Sequence, residues 1–204
     1  MLEIERKYDV TEETRLPDFV GAGAIALISE PEVENLVAVY FDTPEGALAA
    51  NRIALRVRRG GHDAGWHIKI DAGGEGRREV QWPLDDSDEP PASVIAYLAQ
   101  ECGQETSRAD LLPFARISNK RTIILLRDAA GFDLAEFCDD HVESVNLRTT
   151  RTDSWREWEV ELASGAPDSK RNRTALLDAI EQRICDTGAT PSVSASKLHR
   201  AVGG

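Results

Sequence analysis

The chain has 204 residues, 41% of them hydrophobic and 29% charged, the composition of a globular protein and not of a disordered one. Its 36 acidic and 24 basic residues leave a formal net charge of -12, which excludes a general binder of DNA or of anionic membranes, since phosphate contact needs a positive surface. Three scattered cysteines, Cys102, Cys138 and Cys185, form no CxxC pair and indicate neither a disulfide framework nor a zinc site. The first element predicted is a strand over residues 2–9, with Leu2, Ile4 and Tyr8 on one face and Glu3, Glu5, Lys7 and Asp9 on the other. Charge from Glu3 onward leaves no apolar leader there, and no apolar run nears the roughly 20 residues of a membrane span. A cytoplasmic protein is expected.

The strand period of two continues along the chain. Residues 34–43 are rich in β-formers and stop at Pro44. Residues 53–58 set Ile53, Leu55 and Val57 against Ala54, Arg56 and Arg58, and Gly60-Gly61 follows as a turn. Residues 66–71 set Trp66, Ile68 and Ile70 against His67, Lys69 and Asp71. After a second glycine-rich turn at 73–76, residues 77–84 set Val80, Trp82 and Leu84 against Arg77, Glu79 and Gln81. The period then changes: residues 91–101 carry Val94, Ile95 and Leu98 at helical spacing behind Pro and Ser. A short helix is allowed at 107–112, and strands are expected at 114–127, 131–140 and 142–152. Residues 155–162 alternate cleanly, Trp158, Val160 and Leu162 against Trp155, Glu157, Glu159 and Glu161. Residues 169–186 form an amphipathic helix through Leu176, Leu177, Ile180 and Ile184, and the tail packs as a last helical turn. No repeat or linker interrupts this, so residues 1–204 are expected to be a single domain.

Alternation usually means one buried and one wet face. Here the polar faces are dense in acids and bases and poor in Ser, Thr and Gln. Closing such a sheet with its charges inward gives a barrel with a polar lumen, its apolar outside covered by helices. Unpaired buried charges are costly, so a lumen of mixed sign must bind something. Arg and Lys suit phosphate oxygens, and clustered carboxylates suit Mg²⁺ or Mn²⁺. Together they describe a site for a metal-complexed polyphosphate. Same-face residues on a strand lie about 6.5 Å apart, so in Glu3-x-Glu5-x-Lys7 two carboxylates converge on one cation while the Lys meets a phosphate held by it. Glu157-x-Glu159-x-Glu161 puts three like charges on one strand face, which repel unless cations sit among them.

These residues resemble the CYTH family, the triphosphate tunnel metalloenzymes. Glu3-Ile4-Glu5-Arg6-Lys7 is similar to its ExExK signature, Tyr40-Phe41-Asp42-Thr43-Pro44 to its YxDT segment, Leu55-Arg56-Val57-Arg58 to its LRxR strand and Ile68-Lys69-Ile70 to a strand with a phosphate-contacting Lys. Arg77-Arg78-Glu79, Lys120-Arg121-Thr122, Glu136 with Asp140, the acidic strand 157–161 and Ser194-x-Ser196-Lys197 follow in the family's order. Departures are His67 where a small polar residue is frequent, Gln81 for a possible carboxylate, Cys138 for Ala, and Ser118-Asn119 in place of basic residues. The resemblance implies an α+β fold, mainly antiparallel β, built as a closed eight-stranded tunnel barrel with flanking helices. It implies metal-dependent hydrolysis of a triphosphate, inorganic triphosphate first, with a class IV-type adenylyl cyclase or a non-catalytic polyphosphate- or nucleotide-binding module as alternatives.

In that reading Glu3, Glu5, Asp140, Glu159 and Glu161 are metal ligands. Lys7, Arg56, Arg58, Lys69, Arg77, Arg121 and Lys197 grip phosphates. Glu5, Lys7, Glu79 and Glu136 serve catalysis, and Glu79, Glu136 and Asp140 either hold a metal or position the water. Mg²⁺ (or Mn²⁺) is the cofactor and a triphosphate or nucleoside triphosphate the substrate, with no DNA and no membrane. A CHAD-like domain in a longer native chain fits the family, and a homodimer stays open. The histidines and Cys138 read as packing or solvated residues, Trp66, Trp82 and Trp158 as core, and Trp155 as a candidate stacking ring near a tunnel mouth.

Overall fold

The computed structural model describes residues 2–71, 77–85, 87, 89–194 and 196–203, with the side chains of Leu2, Glu3 and Arg77 excepted. The glycine turn expected at 73–76 lies outside the described residues. Among the described residues eleven strands form one sheet: β1 (Leu2–Glu3), β2 (Glu5–Asp9), β3 (Leu27–Ile28), β4 (Glu32–Asp42), β5 (Ile53–Arg59), β6 (Gly65–Ile70), β7 (Arg77–Trp82), β8 (Leu112–Arg127), β9 (Asp133–Asn146), β10 (Thr152–Leu162) and β11 (Thr190–Pro191). The helices are α1 (Ala47–Ala50), α2 (Ala92–Cys102), α3 (Lys170–Cys185) and α4 (Lys197–Val202), with a 3₁₀ turn at Arg108–Asp110. Every strand pairing is antiparallel, in the order β1-β7-β6-β5-β4-β8-β9-β10-β2-β11, with β3 on β8.

Two expectations are corrected here. Among the described residues the ladder is not a closed eight-stranded barrel. The N-terminal segment breaks at Ile4: Leu2 and Glu3 pair with Arg78 and Arg77, while Glu5–Asp9 pair with β10. One segment therefore touches both halves of the sheet without supplying a continuous strand to close it, and three two-residue strands raise the count. The strands expected at 131–140 and 142–152 are one long strand, β9, because Val142 and Ser144 continue the inward alternation of Cys138 and Asp140 past His141. The chain turns only after Asn146, whose Oδ1 accepts from the backbone N–H groups of Arg148 and Thr149.

Alternation sets the two faces. The outer face of β2, β8, β9 and β10 buries Tyr8, Ile124, Leu126, Phe137, Trp158 and Val160 against Leu176, Leu177, Ile180 and Ile184 of α3. Ser169 caps α3 by accepting from Asn172 N–H, a contribution of about 1 kcal/mol. The outer face of β5 and β6 buries Ile53, Leu55, Val57, Trp66 and Ile68 against Val94 and Leu98 of α2. Asp42 and Thr43 build the corner after β4: Asp42 accepts from the N–H groups of Thr43, Leu48 and Ala49, and Thr43 Oγ1 from Ala47 N–H. Gly60 has φ +80°, and a Cβ there would lie 2.1 Å from the Asn35 carbonyl, so the predicted Gly-Gly turn needs glycine at this position.

Arg156 has a structural role that strand alternation alone did not show. The residue is 8% exposed, and its guanidinium clamps both carboxylate oxygens of Asp139 at 2.8 Å. It also donates to the carbonyls of Thr11, Glu12 and Thr14 at 2.8–3.2 Å, tying the loop after β2 to β10. Arg156→Met leaves Asp139 a buried, under-compensated charge. A loss of about 3–5 kcal/mol in stability is expected from urea unfolding; a loss below about 1 kcal/mol would place this clamp with ordinary surface pairs.

Candidate functional site

The concave face of the sheet carries the charged residues in rows set by strand register. Glu5 and Glu136 are both direct cross-strand neighbours of Glu161. Two residues along, Glu159 faces Lys7 on one side and Cys138 on the other. In the next row Glu157 stands beside Asp140, and Asp140 beside Arg121. The acids thus gather on β2, β9 and β10.

Lys197, the first residue of α4, reaches into this acidic half. Its Nζ lies 2.7 Å from Asp140, 2.7 Å from Glu157 and 2.6 Å from Glu159. Arg121 forks onto both oxygens of Asp140 at 2.8 and 2.7 Å and also donates to Glu159. Asn119 donates to Asp140 at 2.9 Å, and Lys7 bridges Glu5 and Glu159. Burial alone would raise Asp140 and Glu159, but Lys197 first, and then the other neighbouring cations, pull both below their ordinary values. Asp140, Glu157 and Glu159 each offer an oxygen within 4.8 Å of the others. This is a hard-oxygen set of the kind divalent cations take, and here it surrounds an ammonium.

The row Glu5–Glu161–Glu136 is less well compensated. Burial pushes Glu161 up to about 7, and Glu5, Glu136 and Glu159 push the same way against Lys69. Below its ordinary value of 4.5 both folded and unfolded chains carry this proton; between 4.5 and about 7 only the folded chain does. Stability in EDTA is therefore expected to fall as pH rises through that window. Thermal melts should show the fall in the wild type and lose most of it in Glu161→Gln; an equal slope in both would assign it elsewhere.

The bases gather on the opposite half, β5 and β6. Arg56 lies 3.5 Å from Glu79 and 3.4 Å from Tyr40 Oη. Lys69 lies 3.5 Å from Glu79, and Arg58 pairs with Asp63. Burial, then Arg56 and Arg121, lower the pKa of Arg58, and its buried Nε has no hydrogen-bond partner. An anion placed there would relieve the repulsion and satisfy the donor.

Of the residues expected at the site, Glu5, Lys7, Arg56, Arg58, Lys69, Glu79, Arg121, Glu136, Asp140, Glu159, Glu161 and Lys197 all share this concave face. Glu79 lies among bases and not among carboxylates. The backbones of Glu3 and Arg77 pair with each other across β1 and β7, and their side chains lie outside the described residues. Glu157, expected on the charged face but not among the ligands, and Asn119, expected only as a departure from a basic cluster, both meet Asp140 through the register of β10 and β8 on β9. Trp155 is not an open stacking ring. It is 7% exposed, its Nε1 donates to Glu157, and Arg200 of α4 covers its face at 4.7 Å.

The CYTH domain profile matches residues 1–183, and the chain belongs to the CYTH domain family. Two uncharacterised proteins of Mycobacterium tuberculosis, from strains CDC 1551 / Oshkosh and ATCC 25618 / H37Rv, are each 40% identical to it over 215 residues, covering 99% of this chain and 40% of theirs. The chain thus spans about two fifths of the length of these curated relatives. Among solved structures, a candidate adenylate cyclase of Bacillus halodurans aligns with TM-score 0.60 at 20% identity, over 98% of this chain and 96% of that one. A candidate adenylyl cyclase of Hippeastrum, in which triphosphatase activity dominates, aligns with TM-score 0.58 at 16% identity, over 97% and 92%. These likenesses are of fold. Among the described residues, no helix is long and apolar enough to cross a membrane.

Proposed function

We propose that this chain hydrolyses a triphosphate with a divalent cation, Mg²⁺ or Mn²⁺, in the concave face of its sheet, and that inorganic triphosphate is the substrate it fits best. The observation that carries this reading is the division of one concave face into an acidic and a basic half. The Arg58 guanidinium in the basic half supports it: Arg56 and Arg121 repel it, and its buried Nε has no hydrogen-bond partner. Inorganic triphosphate is favoured because Trp155 is covered by Arg200 and so offers no open ring to a nucleobase.

The carboxylates fit a hard cation, and Glu3, Glu5, Asp140, Glu159 and Glu161, with Glu136 and Glu157 beside them, are the residues to hold one. When bound, the cation neutralises phosphate charge and orients water. The chain's own groups do the rest. Arg56, Arg58, Lys69, Arg77 and Arg121 grip the phosphate oxygens, and Lys7 and Lys197 add positive charge from within the acidic half. The water oxygen bonds to the terminal phosphorus as the bridging P–O bond breaks, giving orthophosphate and diphosphate. The water proton passes to a carboxylate, a role assigned in this reading to Glu136, the cross-strand neighbour of Glu161.

The test is phosphate release from inorganic triphosphate, ATP and thiamine triphosphate, each with Mg²⁺, Mn²⁺ or EDTA. Metal-dependent release, fastest from inorganic triphosphate, is expected. Cyclic AMP with diphosphate in the ATP tubes would replace the hydrolase with a cyclase. Tight metal-dependent binding with no product would make the chain a polyphosphate- or nucleotide-binding module.

A further inference from the structure

The turn between β5 and β6 carries His62 back against the start of β4. Gly61 allows this: a Cβ there would lie 2.6 Å from Glu34 Oε2 and 2.6 Å from Leu36 Cδ2, so glycine lets the turn close on the Glu34 carboxylate. The His62 backbone N–H donates to Glu34 Oε1 at 3.1 Å. The ring Nε2 lies 3.4 Å from that same oxygen and 3.0 Å from Glu32 Oε1. Glu32, Glu34 and His62 each offer one ligand atom, and the three lie within 4.8 Å of one another. Glu32 and Glu34 stand opposite Ile123 and Arg121 on β8, apart from the carboxylates of β2, β9 and β10.

Two observations point to a cation here. The first is the state of Glu34. Its side chain is only 10% exposed, and among the described residues its ionic partner is His62 and no Lys or Arg. Arg121, its cross-strand neighbour, is turned instead to Asp140 and Glu159. A carboxylate so buried is costly without a cation beside it. The second is spacing. A single Nε2 carries one hydrogen at most and cannot satisfy both oxygens, whereas a metal ion takes all three atoms. Ligand atoms bound to Zn²⁺ at about 2.1 Å, at tetrahedral or octahedral angles, lie roughly 3.0–3.5 Å apart. The two distances from Nε2, 3.0 and 3.4 Å, match that shell. One imidazole with two carboxylates suits Zn²⁺ and its first-row neighbours, while Mg²⁺ takes oxygen. Glu32 and the His62 ring are exposed, which leaves the remaining coordination to water.

We propose that Glu32, Glu34 and His62 form a site for a first-row transition dication, Zn²⁺ first, which staples the β5–β6 turn to β4. The inference does not depend on the triphosphate reading or on the cation of the concave face, because it uses none of the residues assigned to either.

The experiment is equilibrium dialysis of the full chain against Zn²⁺ in saturating Mg²⁺, which competes for the all-oxygen carboxylates of the concave face. Wild type, His62→Gln, Glu34→Gln and His141→Gln are compared, with thermal melts in EDTA to establish folding. His141 is the control, since its Nδ1 lies 3.5 Å from Glu12 and makes a second His–Glu pair. The wild type is expected to take up one Zn²⁺. Its affinity should fall about a hundredfold in His62→Gln and in Glu34→Gln, because groups that merely support a ligand are already worth about 10–100-fold. It should not change in His141→Gln. In ¹⁵N spectra, Zn²⁺ should shift the Nε2 resonance of His62. No uptake by the wild type, uptake that folded His62→Gln retains in full, or uptake lost only in His141→Gln overturns the inference.

Discussion

Lys197→Met is expected to destabilise the protein by about 3–5 kcal/mol in metal-free buffer near neutral pH, the cost of removing one partner from a buried ionic group. The reason is multiplicity. One ammonium lies within 2.7 Å of three carboxylates, Asp140, Glu157 and Glu159, each less than a tenth exposed. Arg121 and Lys7 remain, but they are already committed to Asp140, Glu159 and Glu5. Two further outcomes separate this from ordinary loss of packing. The deficit should shrink as pH falls, because the carboxylates Lys197 holds low can then take protons. Millimolar Mn²⁺ should raise the melting temperature of the variant more than that of the wild type, since the same oxygens then have a cation to surround. A variant as stable as the wild type in EDTA would show that these carboxylates do not need the ammonium.

Glu5→Gln is expected to lower turnover of inorganic triphosphate about a hundredfold or more, the scale of losing one charged group that acts on the transition state. The substitution keeps the shape of the side chain and removes one negative charge from the Glu5–Glu161–Glu136 row. Glu5 is among the groups that raise Glu161, so its neutralisation should relieve repulsion and leave the melting temperature in EDTA equal or higher. Lower activity with undiminished stability distinguishes a functional charge from a structural one. Wild-type turnover in this variant would remove Glu5 from the mechanism.

Much of the architecture could be read from alternation. Period alone puts Arg56, Arg58, Lys69, Glu157, Glu159 and Glu161 on the polar faces of their strands, and those faces are the concave one; Arg156 is the exception, on the outer face with Asp139. The helices expected at 91–101 and 169–186 appear as Ala92–Cys102 and Lys170–Cys185, because apolar spacing and caps are local signals. Register is not local. Nothing in residues 155–162 says that Glu157 will face Asp140 or that Glu161 will face both Glu5 and Glu136, and those pairings decide which carboxylates crowd and which find a cation. The break at Ile4, which keeps the ladder from closing, is a tertiary choice between β7 and β10. The cover over Trp155 comes from α4, a helix of six residues whose destination no periodicity could indicate.

The N-terminal segment also has a consequence for the order in which this molecule can be made. Lys7 and Glu159 are bonded side chains 152 residues apart in the chain. During synthesis Glu5 and Lys7 of β2 emerge long before β10, the long strand they pair with. Loop closure over such a distance is slow, and a strand without partners is an open template for mispairing. The charges of Glu3, Glu5, Arg6, Lys7 and Asp9 keep that waiting segment soluble and unattractive to other edges. The same carboxylates proposed to hold the cation thus protect the nascent chain before any site exists.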